Sequence, residues 1–381
     1  MRQAEVNMLG QGLKALRTHT LEAFAHYQRA GALIVPRKEE FNPPLWELGH
    51  LAWFQEYWVA RNQQRAFGIK QDLTHHRLPS VLDLADTWYD SARVDHDLRW
   101  ELPLLETSDC LAYLDQTFQD TLKNLSSEAD GSPALYFYWL ALQHEAMHLE
   151  ASSYMAQALG IPFEVTWAER PYGRKDSGMR QLSGGSWKMG TDWSQLAGQS
   201  FCFDNEIGQR HACLEAFKIA LHPVTWSQYL EFVQATGHRL PPYVRTATSS
   251  RGVLPFEIQI FGTWQPIPPE NSASHISWDD AQAYCRWAQC SLPTEAQWDM
   301  AARTQADFTW GEVWEWTEDA FMPFEGFTPH PYAEYSAPWF GTRKVLRGAA
   351  WVTHPYLRNL NYRNFFTPDR CDIYAGFRVC R

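Results

Sequence analysis

The sequence is short of cysteine, of positive charge and of long apolar runs, and each shortage removes a class of protein. Seven cysteines occur in 381 residues; the number is odd and no C-x-x-C pair is present. A disulfide framework and a cysteine-ligated zinc site are therefore not expected, and the thiols read as reduced packing residues. Lysine and arginine total 33 against 44 acidic residues, a formal net charge of −11. With no basic run to restore it, the electrostatic footprint of a nucleic-acid binder is missing. The same balance disfavours an anionic membrane surface. No segment reaches the ~20 apolar residues that a spanning helix needs. Met1 to Thr20 mixes Glu5, Asn7, Gln11 and Lys14 among apolar residues, so a signal peptide is not expected and the expected compartment is the cytoplasm. Repeats and low-complexity segments are also lacking.

What the chain has in excess is tryptophan, 19 residues in all. Large amphipathic rings suit cores and pocket walls, and they argue against disorder. A length of 381 residues suits two domains of ordinary size.

The first 160 or so residues read as helical. Leu13, Leu16, Leu21, Phe24 and Tyr27 give Leu9 to Arg29 an amphipathic spacing. Pro43 and Pro44 open a second helix over Leu45 to Val59. Asp83 to Arg93 suggests a short helix plus loop. A further helix is expected from Thr107 to Leu125, and another from Ser132-Pro133 to Leu159, stopped by Gly160-Ile161-Pro162. Four helices with intervening loops predict an antiparallel bundle over 1–165. A polar linker follows at 166–180, and then a Gly- and Trp-rich region of short strands over 181–381. That region has helices at Thr225 to Thr236, Asp279 to Ala288 and Thr294 to Arg303, the last with Thr294 and Gln297 placed as a capping box.

The sharpest local signal is His144-Glu145-Ala146-Met147-His148. Histidines four apart share a helix face, so both imidazoles can serve one metal. Taken literally this is the H-E-x-x-H pattern of zinc peptidases, with Glu145 as base. His50, in the apolar stretch Trp46-Glu47-Leu48-Gly49-His50-Leu51-Ala52-Trp53-Phe54, supplies a third imidazole on a second helix. Bundle cores are where such centres are built. Three neutral nitrogens leave half an octahedral shell open, which suits Fe(II) that binds a substrate and O2.

At this point the chain resembles the ergothioneine-biosynthesis iron enzymes of the EgtB type, over nearly its whole length. The motifs that carry the resemblance follow in family order: Gly184-Gly185-Ser186-Trp187-Lys188-Met189-Gly190, His222-Pro223-Val224-Thr225-Trp226, Ile276-Ser277-Trp278-Asp279-Asp280-Ala281, Leu292-Pro293-Thr294-Glu295-Ala296-Gln297-Trp298, Val313-Trp314-Glu315-Trp316-Thr317, Val345-Leu346-Arg347-Gly348 and Gly376-Phe377-Arg378. The resemblance implies an α+β chain. A DinB-like four-helix bundle precedes a mixed domain of the formylglycine-generating-enzyme (sulfatase-modifying-factor) type, a C-type-lectin-like fold. Most of these motifs are expected to build the fold and to say little about chemistry. By resemblance His50, His144 and His148 match the family's iron ligands, with O2 as co-substrate and C2 of the imidazole of hercynine, trimethylated histidine, as the acceptor. A trimethylammonium group wants aromatic faces. The resemblance places a hercynine contact at Asn364 and walls at Phe365 and Phe366.

Several positions depart from the better-known ergothioneine enzymes. Met147 stands where those enzymes often place a glutamine that contacts the imidazole. Phe366 stands where the γ-glutamylcysteine users carry an acid, and Trp88 to Trp100 replaces their donor-binding loop. This wording resembles the selenoneine synthase branch, which takes a selenosugar donor. Asp90, Ser91, Arg93 and His96 are the residues expected to bind sugar hydroxyls. Tyr89, Tyr332 and Tyr335 are the candidates for the family's proton-donating tyrosine, while Phe324 and Phe327 occupy part of the segment where it is expected. Three functions compete: carbon–selenium bond formation, the same reaction with sulfur from cysteine or γ-glutamylcysteine, and zinc-dependent hydrolysis through Glu145. A non-catalytic binding module is a further possibility. The oxidative readings take small-molecule substrates, hercynine and a selenium or sulfur donor, and no nucleic-acid or membrane partner is expected.

Overall fold

A computed structural model describes residues 5–170, 178–192, 201–247 and 255–381. Part of the expected linker, residues 171–177, lies outside them. The chain packs as two compact units that are not contiguous in sequence. Among the described residues a helical unit takes 5–155, 201–202 and 330–334; the second unit takes 156–170, 178–192, 203–247, 255–329 and 335–381.

The helical unit contains α1 (Val6–Arg29), α2 (Pro44–Gln55), the short α3 (Ala85–Trp88), α4 (Thr107–Leu125) and most of α5 (Leu135–Leu159). α1 and α4 bury one stripe each. On α4 it runs through Cys110, Tyr113, Leu114, Thr117, Phe118, Thr121 and Leu125, the three-and-four spacing of a helix with one wet face. α2 is different: Pro44 sits in its first turn, and ten of its twelve residues are buried. α5 is likewise buried over most of its length. A helix apolar all round belongs in the interior, and these two carry the three histidines. After Gln55 the backbone widens into one π-turn, Glu56–Ala60, in which the Arg61 amide reaches back to the Glu56 carbonyl at 2.9 Å. The expected second helix therefore reaches its predicted end, but with altered pitch.

Among its described residues the second unit holds eleven short strands, β1 (Met179–Leu182) to β11 (Ala375–Gly376), and three α-helices, α6 (Trp226–Thr236), α7 (Trp278–Ala288) and α8 (Glu295–Thr304). Its largest sheet has the order β10 (Asn364–Phe366), β9 (Lys344–Gly348), β8 (Trp314–Ala320), β11; β11 runs parallel to β8 and the other pairs are antiparallel. α6, α7 and α8 each begin with a complete capping box, that of α8 formed by Thr294 and Gln297 as expected. Gly184 has φ +73°, and a Cβ there would stand 2.3 Å from the Leu214 carbonyl, so only glycine fits. α plus β architecture is thus what the chain adopts.

The recurring motifs meet in two buried ion clusters of this unit. Glu295 receives Arg347 at 2.8 Å and Arg363 at 2.7 Å, and Arg347 also reaches Asp299 at 2.7 Å. Glu315 receives Arg378 and the Trp298 indole, the latter at 2.9 Å. No helix among the described residues is long and apolar enough to cross a membrane, and none of the seven cysteines is joined in a disulfide.

Candidate functional site

His50 projects from α2 and His144 and His148 from successive turns of α5. The Nε2 atom of His144 lies 3.2 Å from Nε2 of His50 and 3.2 Å from Nε2 of His148. The candidate ligand atoms all fall within 4.8 Å of one another. Nitrogens bound side by side at about 2.1 Å from one ion stand about 3 Å apart, so the spacing fits a shared cation.

The outer nitrogens are fixed. His50 Nδ1 donates to the Tyr89 carbonyl at 2.7 Å, and His148 Nδ1 donates to Glu47 Oε2. With those hydrogens on Nδ1, Nε2 of both rings presents only a lone pair. Two lone pairs converging beside a third imidazole make a donor set that suits a shared cation. Burial disfavours the charged form of two of the imidazoles: His50 is pushed down to about 3, with His148 adding to the effect, and His144 falls well below the ordinary histidine range. Burial opposes the charge on Glu47, but its pairing with His148 outweighs burial and holds this carboxyl at about 2. Asn42 adds a hydrogen bond to the other Glu47 oxygen.

Aromatic rings pack on two of the three imidazoles. Trp46 stacks on His50 at 4.8 Å and Trp53 lies 5.8 Å from it, while Phe54 lies flat on His144 at 3.5 Å. Trp46 is held through its indole to the Trp88 carbonyl at 2.7 Å and is covered by Arg99 at 4.0 Å. Trp53 donates to Asp86 at 2.7 Å, and the same carboxylate is gripped by both terminal nitrogens of Arg61.

Glu145 turns away from this centre. Its Oε1 accepts Arg17 Nε and the Thr20 hydroxyl, both at 2.8 Å, and its Oε2 accepts Arg17 Nη2 at 3.0 Å. A carboxylate so occupied and buried is a bundle anchor, poorly placed to activate water.

The three candidate tyrosines separate. Tyr332 packs edge-on to Phe54 at 5.1 Å and lies 6.2 Å from His144, centroid to centroid. Burial first, then Glu334 and Asp90, push its phenol well above the ordinary range. Tyr89 reaches the site through its carbonyl; its ring crowds Gly49, where a Cβ would stand 2.2 Å from the phenol carbons. Tyr335 bonds its hydroxyl to that of Tyr362 at 2.9 Å and stacks on Phe203, all within the second unit.

Beside the centre the helical unit encloses a cavity of about 200 Å³ with Phe54 and Tyr332 in its wall. Asp90, Ser91 and Arg93 line it as well. Burial raises the Asp90 carboxyl, and Arg93, 3.2 Å away and mostly exposed, offsets part of that. His96 is not in this wall; its Nε2 is tied to the Phe41 carbonyl at 2.9 Å. Met147 is half-buried on α5, one residue before His148. Asn364, Phe365 and Phe366 form β10 of the second unit. There Asn364 accepts the Phe365 amide at 2.9 Å and Phe365 stacks on Phe321 at 4.1 Å. The sequence reading missed Glu47, Phe54 and Arg17, whose partners lie about 90 to 130 positions away.

Residues 168–312 and 307–381 match the sulfatase-modifying factor enzyme 1-like domain family, FGE-sulfatase, which spans more than half of the chain. Over 404 residues the chain is 27% identical to the hercynine oxygenase of Mycolicibacterium smegmatis, covering 89% of this chain and 90% of that protein. The hercynine oxygenase of Mycobacterium tuberculosis is 26% identical over 409 residues, with coverages of 89% and 90%. The formylglycine-generating enzyme of Streptomyces coelicolor is 26% identical over 291 residues, 55% of this chain and 90% of that one.

Proposed function

Because the chain belongs to the sulfatase-modifying factor enzyme 1-like family and gathers three imidazoles in its helical unit, we propose that it is an Fe(II)- and O2-dependent enzyme that joins the selenium of a selenosugar to C2 of the hercynine imidazole. The observation that carries this reading is the convergence of the Nε2 atoms of His50, His144 and His148, with two of them fixed as lone-pair donors. Relatives named hercynine oxygenase, matched along nine-tenths of the chain, support the acceptor.

His50, His144 and His148 would hold the iron, which when bound acidifies the chalcogen donor and supplies electrons toward O2. The protein's own part is positional. Glu47 and the Tyr89 carbonyl orient two of the ligands. Phe54, Trp46 and Trp53 exclude water from their faces. Tyr332 is the proton donor in this reading, because it is the candidate whose ring stands at both the cavity and His144. Asp90, Ser91 and Arg93 bind the donor from the cavity wall. The roles of Asn364, Phe365, Phe366 and Met147 toward hercynine rest on the family resemblance alone. Hydrolysis through Glu145 loses its base to Arg17 and Thr20.

An aerobic assay of the iron-loaded protein with hercynine and each donor decides the matter. Product with a selenosugar and little with cysteine or γ-glutamylcysteine is expected; turnover with thiols alone would assign the sulfur reaction instead.

A further inference from the structure

We propose that Cys285 and Cys290, at the end of α7 in the second unit, form a dithiol that exchanges with small disulfides admitted through a cavity of this unit. The pair is independent of the metal reading, and its five-residue spacing matches no C-x-x-C pattern. The helix end creates it. α7 is closed by a left-handed residue, Gln289 at φ 51°, which turns the chain back over the last helical turn. The Cys290 amide then donates to the Cys285 carbonyl at 3.0 Å, the bond that in such helix ends brings these two side chains into contact. The Cys290 thiol donates to the same carbonyl at 3.8 Å. Ser291 is fixed directly afterwards by backbone bonds to Cys380 at 2.8 and 3.0 Å, so the turn is held on both sides.

The two sulfurs are not equivalent. Cys285 is 1% exposed, and its thiol is pushed up by its hydrogen bond to Cys290 and by burial. Cys290 is half-buried; the hydrogen bond from Cys285 lowers it, and the Arg381 charge adds to that against the cost of burial. An accessible, more acidic sulfur backed by a buried, protonated one is the division that thiol–disulfide exchange uses: the first attacks and the second resolves. Cys290 lines a cavity of about 340 Å³, together with His222, Ser227, Glu312 and Arg381, so a reagent in the cavity meets this sulfur first. The Cys290 thiolate displaces one thiolate from the small disulfide and is left in a mixed disulfide. Cys285 then attacks the Cys290 sulfur, loses its proton and releases the second thiol. The protein gives up two electrons and two protons as the Cys285–Cys290 bond forms, and the reagent takes them as two thiols.

The test is anaerobic incubation of the full-length protein with cystamine, then alkylation of the remaining thiols and non-reducing peptide mapping by mass spectrometry. Wild type should carry a Cys285–Cys290 disulfide and release two equivalents of cysteamine for this pair; the exposed Cys213 is read separately in the same map. Cys285→Ala should stop at a cysteamine adduct on Cys290, and Cys285→Ser should trap the same adduct if the alanine variant folds poorly. Cys290→Ser should leave Cys285 reduced and alkylated. Ser227→Trp, which narrows the cavity, should slow the exchange several-fold and yield the same disulfide. An unchanged rate in that variant would remove the cavity as the route. A cysteamine adduct that persists on Cys290 of wild type, a Cys290 that stays reduced, or a bond from Cys290 to Cys380 would overturn the dithiol.

Discussion

At the scale of single residues, the centre depends on who holds each nitrogen. His50→Ala and His144→Ala are expected to abolish stoichiometric metal binding, read by metal analysis after anaerobic reconstitution; retention of a full equivalent would remove the proposed site. Glu47→Gln should keep the fold and weaken metal affinity about 10–100-fold, since it replaces the carboxylate that accepts from His148 with a neutral and weaker amide acceptor. Glu145→Gln separates the oxidative from the hydrolytic reading. It should leave the metal bound but lower stability by about 3–5 kcal/mol in denaturant titration, because Arg17 is left as a buried, uncompensated charge. Unchanged stability with lost hydrolysis would instead make Glu145 a base. The histidines were legible in the sequence because their signal is local: two lie four apart on one helix, and the third interrupts an apolar run. Glu47 was not, because its importance lies in a contact with a residue 101 positions away. Tyr89 was singled out for its phenol, yet its contact with His50 is made by its backbone carbonyl, which any residue possesses.

At the scale of elements, α2 and α5 are the interior pair, and their burial packs the histidines between them. Gly49 makes that packing possible, since the Tyr89 ring occupies the space a side chain would need. Gly49→Ala should therefore cost about 1–3 kcal/mol of stability through overpacking. It should also lower metal affinity, because displacing Tyr89 moves the carbonyl that holds His50; equal affinity in a metal titration would detach the two effects. Helix starts were readable wherever a side chain caps its own backbone, as Thr294 and Gln297 do. The π-turn after Gln55 was not, because nothing in Glu56-Tyr57-Trp58-Val59-Ala60 opposes an ordinary helix locally. That turn begins at Glu56, whose carboxylate binds Ser80, Val81 and Tyr113, contacts that exist only after the loop has folded back.

At the scale of the whole molecule, stability and chemistry are carried by different residues. The motifs that made the family recognisable end as buried ion pairs in the second unit, whereas the proposed metal lies in the helical unit, outside the segment matched by the FGE-sulfatase family. Burial works against the charge on Glu295, but Arg363 and Arg347 prevail and hold its carboxyl at about 2, below its ordinary 4.5. A depressed carboxyl stabilises the fold above its unfolded pKa, and that contribution drains away as pH falls from about 4.5 toward 2. Wild type should accordingly lose stability across this window. In Arg347→Met the fold should already be weaker at neutral pH, by about 3–5 kcal/mol, and the slope with acid should be shallower, because less depression of Glu295 remains to be lost. Added iron should raise the melting temperature of wild type by mass action on the native state. His50→Ala should lose that rise while keeping the acid slope, and Arg347→Met should keep the rise while losing part of the slope. A variant in either place that altered both would show that the proposed metal centre and the ion-pair core are one cooperative system.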